Sequence, residues 1–105
     1  MRSIVIIESP FAGDVKANKK YARECMRDSI ARGEAPFLSH LLYPQVLDDK
    51  NPTEREMGLE CAMPFYHIAS AVIVYVDRGV SAGMKLGMER ARHYHTTIIE
   101  RSIKI

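Results

Sequence analysis

At 105 residues the chain has room for one compact domain and not for two, and 47% hydrophobic residues supply a core and exclude wholesale disorder. The formal net charge is only +2, and basic residues alternate with acids, as in Arg23-Glu24 and Arg27-Asp28, so no nucleic acid polymer is expected as a partner. Cys25 and Cys61 stand in no CxxC pair and read as buried reduced thiols, no apolar run reaches membrane-span length, and the opening MRSIVIIESP is too short for a signal peptide; together these point to a cytoplasmic protein with no membrane partner.

Residues 3–8 contain Ile4, Val5, Ile6 and Ile7 in one run, the pattern of a strand covered on both faces. Ser9-Pro10 ends it. Gly13-Asp14 then caps a helix reaching about Arg32, with Gly33 as its stop. Tyr21, Ala22, Cys25, Met26, Ser29 and Ile30 recur at helical spacing and form its inner face. A second strand covers about residues 35–38. Residues 39–51 hold Pro44 and the pair Asp48-Asp49 and read as an irregular connection, long enough to suggest a functional role. Asn51-Pro52 opens a helix with Glu54 and Glu56 in its first turn. It runs to about Met63, where Pro64 kinks it or starts a second piece ending near Ala69. Residues 71–76 form the third strand, residues 81–94 the last long helix, residues 96–99 a fourth strand, and residues 102–105 a candidate fifth.

Strands alternating with helices imply one flavodoxin-like or Rossmann-like α/β domain over residues 1–105. Its three layers would enclose a mainly parallel sheet of four to five strands with right-handed crossovers. The order 2-1-3-4 places the topological reversal between the first and third strands, where such sheets bind ligands. Loops 9–14, 39–43 and 77–83 emerge at that edge, so Glu8, Ser9 and Phe11 are expected to face Asp77 and Ser81 across one crevice.

The segment VIVYVDRGVSAGMKLGMERA, residues 72–91, carries the strongest signal. Ser81 and Gly83, with Met84 behind them, open a helix where a phosphate would meet a hydroxyl, free N–H groups and the positive end of the helix dipole. Ser81 as a plain N-cap is an equal alternative. Asp77 suits a ribose hydroxyl or the capping of its own turn, and Arg78 a phosphate or open solvent. Phe11 could stack on a nucleobase or pack over the sheet edge, and Ser9 adds a hydroxyl beside it. Asp14 reads as a helix cap. His40 is a candidate hydrogen-bonding group for base or sugar, or a structural histidine. His67, His93 and His95 share no metal-ligand spacing, so no metal site is expected. Asp48, Asp49, Glu54, Glu56 and Glu60 read as solvated or helix-terminal charges, and no Ser/His/Asp or Cys/His order is legible.

Through ESPFAGDV, PFLSHLLYPQVLDD, NPTEREMGLE and VSAGMKLGMERA, the chain resembles the nucleoside 2-deoxyribosyltransferase-like family over nearly its whole length, and most of all that family's small phage-type branch. Family members that cleave N-glycosidic bonds attack the anomeric carbon with a glutamate in the last long helix, four residues after the glycine matched by Gly83. Here that position is Gly87. Glu89 points roughly 200° away around a helix and is no simple replacement. Ser81 matches the serine that binds the 5′-phosphate in monophosphate-specific members, and Asp77 matches an aspartate near the sugar.

The residues and the resemblance together imply a nucleotide- or ADP-ribose-type ligand held by Ser9, Phe11, His40, Asp77, Arg78, Ser81, Gly83 and Met84, with no cofactor and with catalysis impaired. A phage protein sequestering a signalling nucleotide in the host cytoplasm would fit. The alternative is an N-glycosidase or 2-deoxyribosyltransferase that uses a different carboxylate, Glu8, Asp77 or Glu89. A third reading is an interaction protein with an empty crevice. A homodimer or higher oligomer is expected, because neighbouring subunits often complete active sites in the family. Met57, Met63, Phe65 and Tyr66 are interface candidates, or core residues.

Overall fold

The computed structural model describes residues 1–103. Four strands, β1 (Ile4–Glu8), β2 (Ala35–Phe37), β3 (Ala71–Tyr75) and β4 (Thr97–Arg101), form one sheet in the order β2-β1-β3-β4. Every neighbouring pair is parallel. The helices are α1 (Val15–Ala31), α2 (Ser39–Leu42), α3 (Pro52–Ile68) and α4 (Ala82–His93), and a 3₁₀ turn, Tyr43–Gln45, follows α2.

Alternation along the strands builds the three layers. Val5, Ile7, Ile73 and Tyr75 pack with Tyr21, Ala22 and Cys25 of α1. Ile6, Val72 and Val74 pack with Ala62 and Tyr66 of α3 and with Met84 and Ala91 of α4. All five residues of β3 are buried, as expected of a central strand covered on both faces. Each buried aliphatic side chain there contributes about 1.5–3 kcal/mol. Successive side chains leave a strand on opposite faces. Glu8, two residues after Ile6, therefore turns into the α3–α4 layer. Asp77, two residues after Tyr75, lies on the α1 side.

Local chemistry sets the helix starts. Asp14 accepts the Ala17 N–H at 3.2 Å. Asn51 accepts those of Thr53 and Glu54 at 3.0 and 3.2 Å. The Ser81 hydroxyl accepts the Met84 N–H at 3.2 Å. Such caps are worth about 1 kcal/mol each. After α1 the chain reverses at Gly33, whose φ of +88° falls in the left-handed region that favours glycine.

Several expectations are corrected. Helix α3 continues through Pro64 to Ile68 without a break. Pro64 is exposed, so the Glu60 carbonyl that loses its partner faces water. Residues 39–51 are not irregular throughout, since α2 and the 3₁₀ turn occupy the first half. Strand β2 stops at Phe37. Strand β4 extends to Arg101, which pairs with Tyr75 in the ladder. The Arg101 guanidinium also forks onto both carboxyl oxygens of Glu34 at 2.7 and 2.9 Å. Of the candidate fifth strand, Ser102 and Ile103 are not strand residues, and residues 104–105 lie outside the described residues.

Ile30 is exposed. Asn18 is buried on the inner face of α1, where it bonds the preceding loop. Cys25 is buried, whereas Cys61 is exposed. Tyr66, a candidate for an interface, is buried within the chain's own core, and Phe65 stacks on Phe37 with ring centroids 3.9 Å apart. Among the described residues no helix is long and apolar enough to cross a membrane.

Candidate functional site

The carboxyl ends of β1 and β2, the start of α2, the first half of α3 and the first turn of α4 surround a cavity of about 270 Å³. It lies at the reversal of strand order between β1 and β3, the usual ligand position in an open α/β sheet. Glu8, Ser9, Phe11, His40, Ser81, Gly83 and Met84 all line it.

The first loop is pinned from behind. The Asn18 side-chain amide donates to the Phe11 and Ala12 carbonyls at 3.1 and 3.0 Å. This holds Phe11 against the cavity, edge-on to the His40 ring at a centroid distance of 6.5 Å. Ser9 Oγ and His40 Nε2 share a hydrogen bond of 2.6 Å. Burial pushes the His40 pKa down to about 4, so the ring is neutral at physiological pH. A neutral imidazole bonded to a hydroxyl suits the positioning of a ligand hydroxyl and supplies no charge.

At α4 the Ser81 hydroxyl caps Met84, and the Ser81 N–H donates to the Met84 sulfur at 3.3 Å. Ser81 is thus an N-cap. Its hydroxyl hydrogen still remains to be donated, and the first-turn N–H groups of Ala82 and Gly83 have no acceptor within the helix. A Cβ added at Gly83 would meet only the Ser81 hydroxyl, at 4.0 Å. The backbone there is open to close approach by a ligand.

Asp77 and Arg78 do not line the cavity. Asp77 Oδ2 accepts the Tyr21 hydroxyl at 2.6 Å and the Ile103 N–H at 3.1 Å, and Ser102 Oγ bonds Oδ1. Asp77 therefore ties α1 to the exit of β3 and to the chain after β4. Arg78 sits over the Tyr21 ring at 5.9 Å. The alternation that points Tyr75 at α1 carries Asp77 the same way, so the expected facing of Glu8 and Asp77 across one crevice does not occur. Glu89 is exposed and also outside the cavity lining.

The floor of the cavity holds Glu8. Tyr66 donates its hydroxyl to Glu8 Oε2 at 2.5 Å. Burial raises the Glu8 pKa from 4.5 to about 7, against the opposing pull of the Tyr66 bond and the Arg90 charge. The carboxyl group lies across the bare Cα of Gly87. A methyl at position 87 would fall inside van der Waals distance of both carboxyl oxygens, 2.7 Å from Oε1. Tyr43, Arg55, Tyr66 and Arg90 also line the cavity, and sequence reading did not assign them to a site. One signal was available for Arg90. It follows Gly83 and Gly87 at i, i+4 and i+7, a single helix face.

The family described as "Domain of unknown function (DUF7768)" matches residues 3–101 of the chain. No curated protein matches the sequence. Among solved structures, the chain superposes on a 2-deoxyribosyltransferase from the psychrotolerant bacterium Bacillus psychrosaccharolyticus with a TM-score of 0.76 and 11% identity, over 95% of this chain and 72% of that one. A 2-desoxiribosyltransferase from Leishmania mexicana superposes with a TM-score of 0.61 and 11% identity, over 95% of this chain and 64% of that one. These likenesses show a deoxyribosyltransferase-like fold. The chain spans less than two thirds of the Leishmania protein's length.

Proposed function

The chain belongs to the DUF7768 family, and from that premise we propose that its crevice binds a nucleotide-type ligand, an N-glycoside bearing a phosphate. The observation that carries this reading is the meeting of three loops at the switch point, each bringing a different recognition element. Phe11 offers a ring face to a base. The Ser9–His40 pair offers a neutral hydrogen-bonding couple to a sugar hydroxyl. Ser81 and the open first turn of α4 offer donors to a phosphate, with Arg55 and Arg90 adding positive charge to the walls.

With glycine at position 87, the helix offers no carboxylate for the attack that the family resemblance would assign there. Binding without turnover, in a sequestering protein of the kind a phage would deploy in a host cytoplasm, is consistent with that loss. A second reading, turnover by another carboxylate, is favoured by the position of Glu8. A homodimer is part of the proposal, and light scattering at micromolar concentration tests it.

Melting temperature with a panel of nucleosides, nucleotides and ADP-ribose tests the ligand. A ligand at a hundred times its Kd stabilises the native state by about 2.7 kcal/mol, which for a domain of this size is a rise on the order of 10 °C. The expected result is such a rise with a nucleoside monophosphate, and its loss in Phe11→Ala. No rise with any member of the panel overturns the reading.

A further inference from the structure

We infer that Glu8 is a catalytic carboxylate of this crevice, attacking the anomeric carbon of the bound N-glycoside, and that Gly87 is the residue that makes room for it. The inference rests on the nucleotide-type ligand proposed above.

Three geometric facts carry it. First, the Glu8 carboxyl occupies the space into which a side chain at position 87 would project, since a Cβ built there overlaps both of its oxygens. An acid has thus reached one place from β1 instead of from α4. Second, the group is oriented. Tyr66, itself 2% exposed, holds Oε2 at 2.5 Å. Oε1 makes no hydrogen bond among the described residues, and no buried side-chain oxygen among them lacks a partner, so Oε1 opens on the cavity. Third, the other acids are exposed or committed to other partners. Asp77 is committed to Tyr21 and Ser102 on the far side of the sheet. Glu89 is exposed outside the cavity. Asp49 lies exposed at the mouth, and Glu54 accepts the Asp48 N–H there.

Burial raises the carboxyl to about 7, so only part of it is ionised near neutral pH, and that part is the attacking form. Arg90 favours its ionised form. In the first step Oε1 forms a bond to the anomeric carbon while the carbon–nitrogen bond breaks. Its electron pair leaves with the base, which takes a proton from solvent. In the second step water attacks the same carbon, the ester bond breaks and the carboxylate returns. The surplus proton of that water goes to solvent and balances the one the base took.

The test incubates the full chain with deoxynucleoside 5′-monophosphates and measures free base by chromatography, with melting shifts recorded on the same samples. Wild-type protein is expected to release base. Glu8→Gln is expected to lose roughly a thousandfold or more of that rate while keeping the melting shift. The exchange variant Glu8→Ala/Gly87→Glu, which returns the acid to α4, is expected to regain part of it. A 2′-fluoro nucleotide analogue that slows the second step should leave an ester on Glu8, mapped by mass spectrometry in wild-type protein, so the result does not depend on a variant folding. A melting shift without base release, an unchanged rate in Glu8→Gln, or an adduct on another residue each overturns the assignment of Glu8. No melting shift with any nucleotide instead overturns the ligand reading beneath it.

Discussion

Replacing Gly87 by alanine tests the contact between β1 and α4 on which the site is built. In an ordinary helix interior this change stabilises by about 1 kcal/mol. Here the new methyl would stand 2.7 Å from Glu8 Oε1 and would also overlap Oε2. Relief requires the carboxyl to swing away by about an ångström, the usual overpacking penalty being 1–3 kcal/mol. The swing also breaks the 2.5 Å bond from Tyr66, worth about 1 kcal/mol or more when the partner stays buried. The net expectation is a loss of about 1–3 kcal/mol, read as a lower urea midpoint at unchanged slope. In a Glu8→Ala background the space is empty, and the same substitution should stabilise by about 1 kcal/mol. The coupling between the two sites is then about 2–4 kcal/mol. If Gly87→Ala stabilises both backgrounds equally, Glu8 does not lie against α4 and the reasoning fails.

Glu8 and His40 give opposed pH dependences. The folded state holds the Glu8 proton up to about 7 where the ordinary value is 4.5, so this residue's contribution falls as pH rises through that interval. His40 is held at about 4 against an ordinary 6.5, so its contribution falls as pH drops through that range. Each difference is worth up to about 3 kcal/mol. Between pH 4.5 and 6.5 the two oppose each other, and wild-type stability should be nearly flat. Urea midpoints across this window should rise with pH in Glu8→Gln and fall with pH in His40→Asn. Identical profiles in all three proteins would contradict both placements. Asp77→Asn should lower stability by about 1–3 kcal/mol, because it weakens the bonds from Tyr21 and Ser102. It should leave the nucleotide-induced melting shift unchanged, and loss of that shift would return Asp77 to the ligand site.

The β3 run, the caps at Asp14, Asn51 and Ser81 and the stop at Gly33 were legible because each depends on chemistry within a few residues. The parallel sheet followed from the alternation of elements. Helix α2 was not legible. Leu38 sits at its N-cap with no side-chain bond, and the burial of Leu38 fixes the segment instead of any local signal. Of the kink or second piece expected at Pro64, the second piece does not form, because that turn of α3 faces water. Asp77 was misplaced because VIVYV is apolar on both faces, so composition does not say which residues meet α1. Counting in twos from Tyr75 would have grouped Asp77 with Ile73, and counting from Ile6 would have grouped Glu8 with the opposite layer. The meeting of Glu8 with Gly87 depends on how β1 and α4 pack, and no spacing along the chain encodes it.

The most direct test is a crystal structure of Glu8→Gln soaked with a deoxynucleoside 5′-monophosphate. The expected result places the base against Phe11, the phosphate at Ser81 and Gly83, and the anomeric carbon roughly 3–3.5 Å from the residue 8 side chain. A nucleotide bound elsewhere, or one bound in the crevice with its sugar turned away from residue 8, would contradict the account.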